Sequence, residues 1–252
     1  KEAMSQAGYG DVLEFPFLLT APTVFEADLS SLLFRDVLSS YNAFQASNSA
    51  RAENMQIACK AIDGTVLLPG EVFSFNGTVG ERTKAKGYNP APTYEGGKTV
   101  MTYGGGICQP SSAIYYCALL ADLEIVERDC HSYPSVYVPW GMDATVYWGS
   151  LDFQFKNNTG YPIRIDASVS DGKVHIAIYG TETKDYTVKM TYEFTSRSET
   201  GISCNSYMHK LDADGNEISV EKVAYSYYHY HIEEEEEEVE EEIFPDEQIH
   251  DI

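Results

Sequence analysis

The stretch TYGGGICQPSSAIYYCALL, from Thr102 to Leu120, decides the fold at the centre of this 252-residue chain. Three consecutive glycines lead towards Cys108, and Pro110 suits the first turn of a helix, where a missing N–H costs nothing. The apolar residues that follow recur three and four positions apart, which is typical of a helix with one buried face. We therefore predict a helix from about Gln109 to Leu120, with Cys108 at its N-terminal end and Cys117 in the core.

The segments on either side of this helix predict a mixed fold. Residues 47–64 have helical spacing and end at a glycine, whereas Gly and Pro dominate residues 77–106, which we predict as a long loop region. Strand patterns occur in TVLLPGEVFSF, EIVERDCHSYPSVYVP, ATVYW, LDFQFKN, YPIRIDASV, KVHIAIYG, YTVKMTYEF and a hairpin that turns at DADGN. This order predicts an α+β fold, with helices packed on a mainly antiparallel sheet and a β appendage after it.

The negative charge of the chain is concentrated at one end. Of the formal net charge of −22, 12 negative charges lie in residues 232–252, which contain no Lys or Arg, so the rest of the chain carries −10. A basic surface is absent, and we expect no nucleic-acid partner. Like charges repel one another, so we predict a disordered acidic tail, with a cation-binding tail as an alternative. No apolar run is long enough to span a bilayer, which predicts no transmembrane segment in this chain.

Cys108 lies where a thiol gains reactivity. A helix N-terminus carries partial positive charge and unpaired N–H groups, both of which favour the thiolate, and backbone N–H groups at Cys108 and Gln109 would stabilise an oxyanion. His131 and Asp143 follow in an order that suits a general base and its orienting carboxylate. The order Cys, His, Asp resembles papain-like and transglutaminase-like cysteine enzymes, which implies a core of that type. The alternative is that Cys108 is a small hydrophobic residue under a tight turn, with the glycines serving packing only.

The other cysteines give no second motif. The chain has five, so at least one thiol stays free if the others form pairs. No CxxC pair occurs, which disfavours a zinc ribbon or a thioredoxin-type motif. Cys130 and His131 are adjacent in a predicted strand, so their side chains would point to opposite faces. We therefore predict no metal site and no cofactor.

Four blocks of the sequence resemble the VanW family in the same order. They are TVLLPGEVFSFNGTVGERTKAKGY, GGGICQPSSAIYYCALL, EIVERDCHSYPSVYVPWGMDATV and LDFQFKNNTGYPIRI. The resemblance covers about residues 33–180 and implies an exported, extracellular protein of the cell envelope, mainly in Gram-positive bacteria, without implying an established reaction. Family members tend to have ERHxHS where this chain has ERDCHS, and Pro110 stands where Val is common. Around this domain we place a lead segment (1–32), a small β-rich extension (181–231) and the acidic tail (232–252).

Two hypotheses of function follow from these features. In the first, the protein acts on peptidoglycan peptide or a related polymer by thiol acyl transfer, with Cys108 as nucleophile, His131 as general base and Asp143 orienting the imidazole. In the second, the protein is a non-catalytic wall-binding or assembly module with a structural Cys108. The residues for which we predict substrate contacts are Arg82, Tyr103, Gln109 and Ser112, and the binding-module hypothesis places Arg82, Tyr88, Tyr94 and Tyr103 around a groove.

Overall fold

A computed structural model describes Gly8 and residues 33–44, 49–95, 98–170 and 173–230. Apart from Gly8, the predictions for residues 1–32 and 232–252 lie outside this part of the chain. The helices are α1 (Ser49–Ile62), α2 (Phe75–Val79) and α3 (Cys108–Leu120), with a 3-10 turn at Lys84–Lys86. The strands are β1 (Asp36–Phe44), β2 (Thr65–Leu67), β3 (Val72–Ser74), β4 (Pro90–Glu95), β5 (Lys98–Tyr103), β6 (Glu124–Glu127), β7 (Gln154–Lys156), β8 (Ile163–Ser170), β9 (Lys173–Gly180), β10 (Thr187–Arg197), β11 (Gly201–Leu211) and β12 (Glu217–His229).

The strands form antiparallel sheets. A four-stranded sheet has the order β1-β9-β8-β2, and two three-stranded sheets have the orders β3-β7-β6 and β10-β11-β12. The strands β4 and β5 make a separate hairpin. Every strand pair within the described ranges is antiparallel. The protein is therefore α+β with several antiparallel sheets, as predicted.

The core lies between the helices and the four-stranded sheet. Buried and half-buried residues alternate along β8 and β9, so Ile165 and Ile178 share the face that is covered by helices. The helix α1 packs on β8, and α3 packs on β1 and β9. Most of α3 is buried, including Cys117, so this helix exposes few polar groups to solvent. This burial fixes the position of the N-terminal end of α3, where Cys108 is the first helical residue.

Several predicted elements differ from the observed ones. The strand predicted over EIVERDCHSYPSVYVP ends at Glu127, because Pro134 and Pro139 remove ladder donors and the chain turns irregularly instead. ATVYW contributes only isolated bridges. The predicted loop of residues 77–106 contains the β4–β5 hairpin, whose prolines hide its strand pattern. The topology does not show a papain-like or transglutaminase-like core. The domain boundaries at residues 33, 180 and 231 stay predictions.

Candidate active site

The glycine loop in front of α3 is closely packed against its neighbours. Gly104 and Gly106 have φ values of +81° and +106°, which L side chains rarely adopt. A Cβ on Gly105 would lie 2.5 Å from the carbonyl oxygen of Ala91, so no side chain fits there. Asn54 of α1 donates to the Gly105 carbonyl at 3.0 Å and holds the loop from below. The three glycines therefore place the N-terminus of α3 against the β4–β5 hairpin.

His131 and Asp143 meet behind Cys108. The Nδ1 atom of His131 lies 2.6 Å from Oδ2 of Asp143, and the same oxygen accepts a 2.7 Å hydrogen bond from the His131 backbone N–H. The Cys108 thiol donates to the Val146 carbonyl at 3.6 Å, and His131 lies close enough to lower the pKa of the thiol. Because Nδ1 is taken by Asp143, we assign Nε2 to the side of the thiol, where it also lies 3.2 Å from the Tyr137 hydroxyl. The structure thus brings together the three residues that the sequence proposed as a nucleophile, a base and an orienting carboxylate.

Asp143 is held by groups from distant parts of the chain. It is 1% exposed, and Arg128 binds it twice, from Nη2 to Oδ1 at 3.1 Å and from Nε to its carbonyl oxygen at 2.7 Å. The Tyr228 hydroxyl donates to Oδ1 and accepts from the Gly141 N–H at 3.0 Å. Arg128 also donates to the Ser226 hydroxyl at 3.0 Å. The strand β12 therefore helps to fix the carboxylate that faces His131.

These contacts favour the charged forms of all three groups. Burial opposes ionisation of the Cys108 thiol, but the hydrogen bond and charge of His131 outweigh burial and hold its pKa below the ordinary 9.0. Burial likewise opposes a charged imidazole, but Asp143 and Cys108 raise the pKa of His131 to about 10. Burial raises the pKa of Asp143, while His131 and Arg128 lower it more, to about 2. The surroundings of Cys108 and His131 therefore favour the thiolate and the imidazolium over their neutral forms, and the thiolate is the reactive form of a cysteine.

Cys108 lines an open cleft of about 260 Å³, and His131 is not among the residues of its wall. Its walls combine the glycine loop with polar and aromatic side chains. Tyr147, Trp148 and Tyr103 are exposed there, at 58%, 46% and 44%. The complete lining is Glu81, Arg82, Thr93, Thr102, Tyr103, Gly104, Gly105, Gly106, Ile107, Cys108, Val146, Tyr147 and Trp148. Cys108 is thus shared by the cleft and by the buried Cys–His–Asp cluster.

The predicted substrate contacts divide into two groups. Arg82 and Tyr103 line the cleft. Gln109 and Ser112 do not, because they are buried behind it at 1% and 0% exposure. The Ser112 hydroxyl donates to the Cys108 carbonyl at 2.7 Å and accepts from the Ala144 N–H at 2.9 Å, so it ties the helix start to the segment after Asp143. Gln109 and Ser112 thus lie outside the cleft wall, and their contact with a substrate stays a prediction.

The tyrosines of the predicted groove are separated. Tyr88 is 2% exposed and belongs to the core, whereas Tyr94 is exposed and its ring packs edge-on against Tyr133. The backbone N–H of Gln109, which the sequence suggested for an oxyanion site, donates to the Gly106 carbonyl at 3.1 Å. Cys108 remains the source of such an N–H at this helix start.

Sequence reasoning missed Arg128, Tyr137 and Tyr228. Arg128 stands in the ERDCHS block beside His131, so its proximity to the site had a local signal. Tyr137 also follows His131 closely in the chain. Tyr228 had no such signal, because 85 residues separate it from Asp143 and only the folded sheet brings them together.

The remaining cysteines are unpaired, and their surroundings differ from that of Cys108. Burial raises the pKa of Cys59 and Cys117 to about 12 and that of Cys204 to about 11. Cys130 is half-buried and its thiol contacts the Tyr227 carbonyl at 3.8 Å. Within the described ranges, no group of three or more His, Cys, Asp or Glu side chains is arranged to hold a metal ion. In the same part of the chain, no helix has the length and apolar character needed to cross a membrane.

Fold and site define an α+β protein with a Cys–His–Asp cluster at a helix N-terminus. The chain belongs to the family of VanW-like proteins, whose family model matches residues 50–179. The sheet β10-β11-β12 lies beyond this match, although it supplies Ser226 and Tyr228 to the site.

Two curated relatives support this membership. The chain is 40% identical over 171 residues to "Uncharacterized protein YoaR" of Bacillus subtilis (strain 168), which covers 68% of this chain and 56% of the relative. It is 30% identical over 163 residues to "Vancomycin B-type resistance protein VanW" of Enterococcus faecalis (strain ATCC 700802 / V583), which covers 61% of this chain and 59% of the relative. The chain thus spans less than two thirds of either relative. No solved structure matches it.

Proposed function

We propose that this protein is an exported thiol acyl-transfer enzyme of the cell envelope, acting on peptidoglycan peptide or a related polymer as an amidase, peptidase or transpeptidase. The single observation that carries the proposal is the grouping of Cys108, which lines the cleft, with His131, whose Nδ1 lies 2.6 Å from the Asp143 carboxylate. A buried structural cysteine needs neither a charged imidazole beside it nor an opening to solvent.

The proposed chemistry divides into two steps. The Cys108 thiolate attacks an amide carbonyl, a C–S bond forms, and the C–N bond breaks as the His131 imidazolium gives its proton to the leaving amine. Water or a second amine then loses a proton to His131 and attacks the thioester, which restores the thiolate. Asp143 keeps the imidazole in one orientation and stabilises its charge. Water as acceptor makes the reaction a hydrolysis, and an amine makes it a transpeptidation.

The oxyanion of each tetrahedral intermediate needs donors close to Cys108. The N–H of Cys108 lies at the N-terminus of a 13-residue helix, whose dipole adds partial positive charge there. The neighbouring Gln109 N–H is already engaged with Gly106. We therefore assign the oxyanion contact to Cys108 and to the positive end of α3.

The cell-envelope setting rests on relatedness. The relative in Enterococcus faecalis is named as a vancomycin B-type resistance protein, and the chain shares its family. Vancomycin resistance concerns the cell wall, so an extracellular site of action and a wall polymer as partner suit the proposal. The Cys-on-helix arrangement, followed by His and Asp, also agrees with a papain-like or transglutaminase-like layout.

A wall-binding module is the second candidate, and the aromatic rim of the cleft favours it. Tyr103, Tyr147 and Trp148 are exposed and line the cleft beside the glycine loop. Aromatic faces of this kind stack on the apolar faces of sugars and on other flat groups. In this case the cleft would bind a polymer without turnover, and the Cys108 thiol would stay unmodified.

Incubation with purified peptidoglycan fragments separates these candidates. The enzyme proposal expects release of an amine or a cross-linked product, together with a transient acyl adduct whose mass maps to Cys108. Cys108→Ala removes both, while Cys130→Ser, which changes a half-buried thiol outside the cleft, leaves both in place. Fragment binding without product or adduct, and unaffected by Cys108→Ala, would establish the binding module instead.

A further inference from the structure

The guanidinium of Arg82 has no hydrogen-bond partner within the described part of the chain. Its Nε, Nη1 and Nη2 atoms are all buried and all unpaired. The guanidinium lies over the ring of Phe75, whose centroid is 5.6 Å from the Arg82 Cζ atom. Arginine stays charged in proteins, so this position holds a positive charge without a bonded counterion.

The surroundings fix this side chain in the wall of the cleft. A Cβ added to Gly104 would lie 2.7 Å from Cβ and from Cγ of Arg82, so the glycine allows the arginine stem to pass. Arg82 and Cys108 line the same cleft, and among the groups that favour the Arg82 charge Cys108 contributes most. The glycine loop therefore places the cation and the thiol beside each other.

The carboxylate of Asp152 accepts its hydrogen bonds from donors other than Arg82. Its oxygens accept hydrogen bonds from the Asn76 N–H at 2.8 Å, from the Phe153 N–H at 2.8 Å and from the Gln154 side chain at 3.2 Å. Leaving a buried charge unpaired is costly, and folding alone gives no reason to keep it. A matching anion supplied from outside the protein gives such a reason.

We propose that Arg82 binds a carboxylate of the ligand in the Cys108 cleft, so that the protein selects substrates with a free carboxylate close to the carbonyl that is attacked. Arg82 pairs with carboxylates through two parallel hydrogen bonds, a geometry that its planar fork favours. Arg82 lines the cleft while its three nitrogens are buried, so binding of the ligand requires the guanidinium to turn towards it. This inference rests on the proposed function, because the attacked carbonyl is the one in the proposed acyl transfer. It implies that the enzyme acts near the carboxyl end of a peptide.

The test measures binding in a protein that cannot turn over. In Cys108→Ser, N-acetylglycylglycine and its C-terminal amide are titrated separately and followed by NMR chemical shifts. We expect the carboxylate to bind more tightly than the amide, and Arg82→Met to weaken carboxylate binding by about 10-fold to 100-fold while leaving the amide unchanged. Arg82→Lys keeps the charge and should retain part of the preference. Arg197→Met, which removes an exposed cation elsewhere, should retain all of it.

Thermal unfolding separates this function from a structural role. Because Arg82 is an unpaired buried charge, Arg82→Met should unfold at the same temperature as the parent or higher. A large loss of stability in both Arg82→Met and Arg82→Lys would overturn the proposal. So would equal affinity for carboxylate and amide, or failure of the carboxylate to bind.

The binding experiment does not require catalysis, so failure of the carboxylate site can be distinguished from failure of the proposed enzyme function. If the carboxylate preference depends on Arg82 but the protein with an intact Cys108 never forms an acyl adduct, the inference is supported and the proposed enzyme function is lost. Acyl transfer that treats carboxylate and amide substrates alike would do the reverse. An effect of Arg82→Met on thiol ionisation alone, without any change in ligand preference, would assign the charge to the Cys108 thiolate and overturn the carboxylate site.

Discussion

The hydroxyl of Tyr228 donates a hydrogen bond to the carboxylate of Asp143 across 85 residues of chain. The donor is in β12 and the acceptor faces the imidazole of His131. The orientation of the proposed base thus depends on a residue of the β10-β11-β12 sheet, although His131 and Asp143 themselves lie outside the strands.

Replacing Tyr228 by Phe should weaken this support without opening the core. The ring keeps its edge-on contact with Trp140, whereas Asp143 loses a hydrogen-bond donor and the Gly141 N–H loses its acceptor. We expect a loss of about 1.5–3 kcal/mol in the free energy of unfolding, because a bond to a buried charged group is removed. Urea titration measures this loss, and Tyr225→Phe, on an exposed side chain of the same strand, is the matched control. Equal stability of the two variants would contradict a supporting role.

Iodoacetamide should label Cys108 in the native protein much faster than Cys59 or Cys117. The pKa of Cys108 is held below its ordinary 9.0, so its labelling rate should level off at a lower pH than that of an unperturbed thiol, whereas burial raises the pKa of the other two thiols to about 12. Mass spectrometry assigns the labelled cysteine across a pH series. A Cys108 that stays unlabelled until the protein unfolds would point to a structural thiol.

His131→Ala should slow the labelling of Cys108 near neutral pH, because it removes the charge and the hydrogen bond that stabilise the thiolate. Asp143→Asn should slow it less, since the imidazole remains but loses its orienting carboxylate. The comparison uses the pH series of the preceding experiment. His209→Ala, which changes a histidine of the β10-β11-β12 sheet, provides the control. Labelling that is indifferent to His131 would separate the thiol from the proposed base.

Asp143 should make the protein sensitive to acid. The pKa of its carboxyl is lowered from 3.8 to about 2, so the stability it contributes is complete above 3.8 and is lost as the pH falls through about 2. This linkage predicts that roughly 2 kcal/mol of the free energy of unfolding disappears over that window. Denaturant titrations at several pH values measure the slope, and Asp143→Asn should flatten it. A slope that is unchanged in Asp143→Asn would assign the acid sensitivity to other groups.

Gly105→Ala should disrupt the loop that positions Cys108. The added methyl group would lie 2.5 Å from the Ala91 carbonyl oxygen, which belongs to the backbone and cannot move without shifting β4. We expect both a lower melting temperature and slower labelling of Cys108. Gly160→Ala is the matched control, because a Cβ there meets nothing within 4 Å and its φ requires no glycine. Equal effects of the two substitutions would contradict the close packing described for this loop.

The sequence allowed prediction of those parts of the site that depend on local chemistry. The start of α3, the burial of Cys117 and the order of Cys108, His131 and Asp143 follow from turn residues, apolar spacing and residue type. The α+β class followed in the same way from the order of helical and alternating patterns.

The parts that were missed depend on long-range contacts. Proline at positions 90 and 92 hid the strand pattern of β4, which forms because its partner β5 is adjacent in the chain. The burial of Gln109 and Ser112 was not foreseen either, because the direction of a helix face is set by what packs on it, and their contact with a substrate stays a prediction. Tyr228 shows the limit most plainly, since no spacing rule relates it to Asp143.

The positions of Tyr228 and Ser226 determine the shortest segment of the chain that a fusion or domain exchange must include to carry the whole site. A fusion or domain exchange with its junction at the end of the family match, after residue 179, would transfer Cys108, His131 and Asp143. It would leave behind the hydroxyl groups that hold Asp143 and Arg128. Any transplant that is meant to keep the site intact therefore has to place its junction after β12.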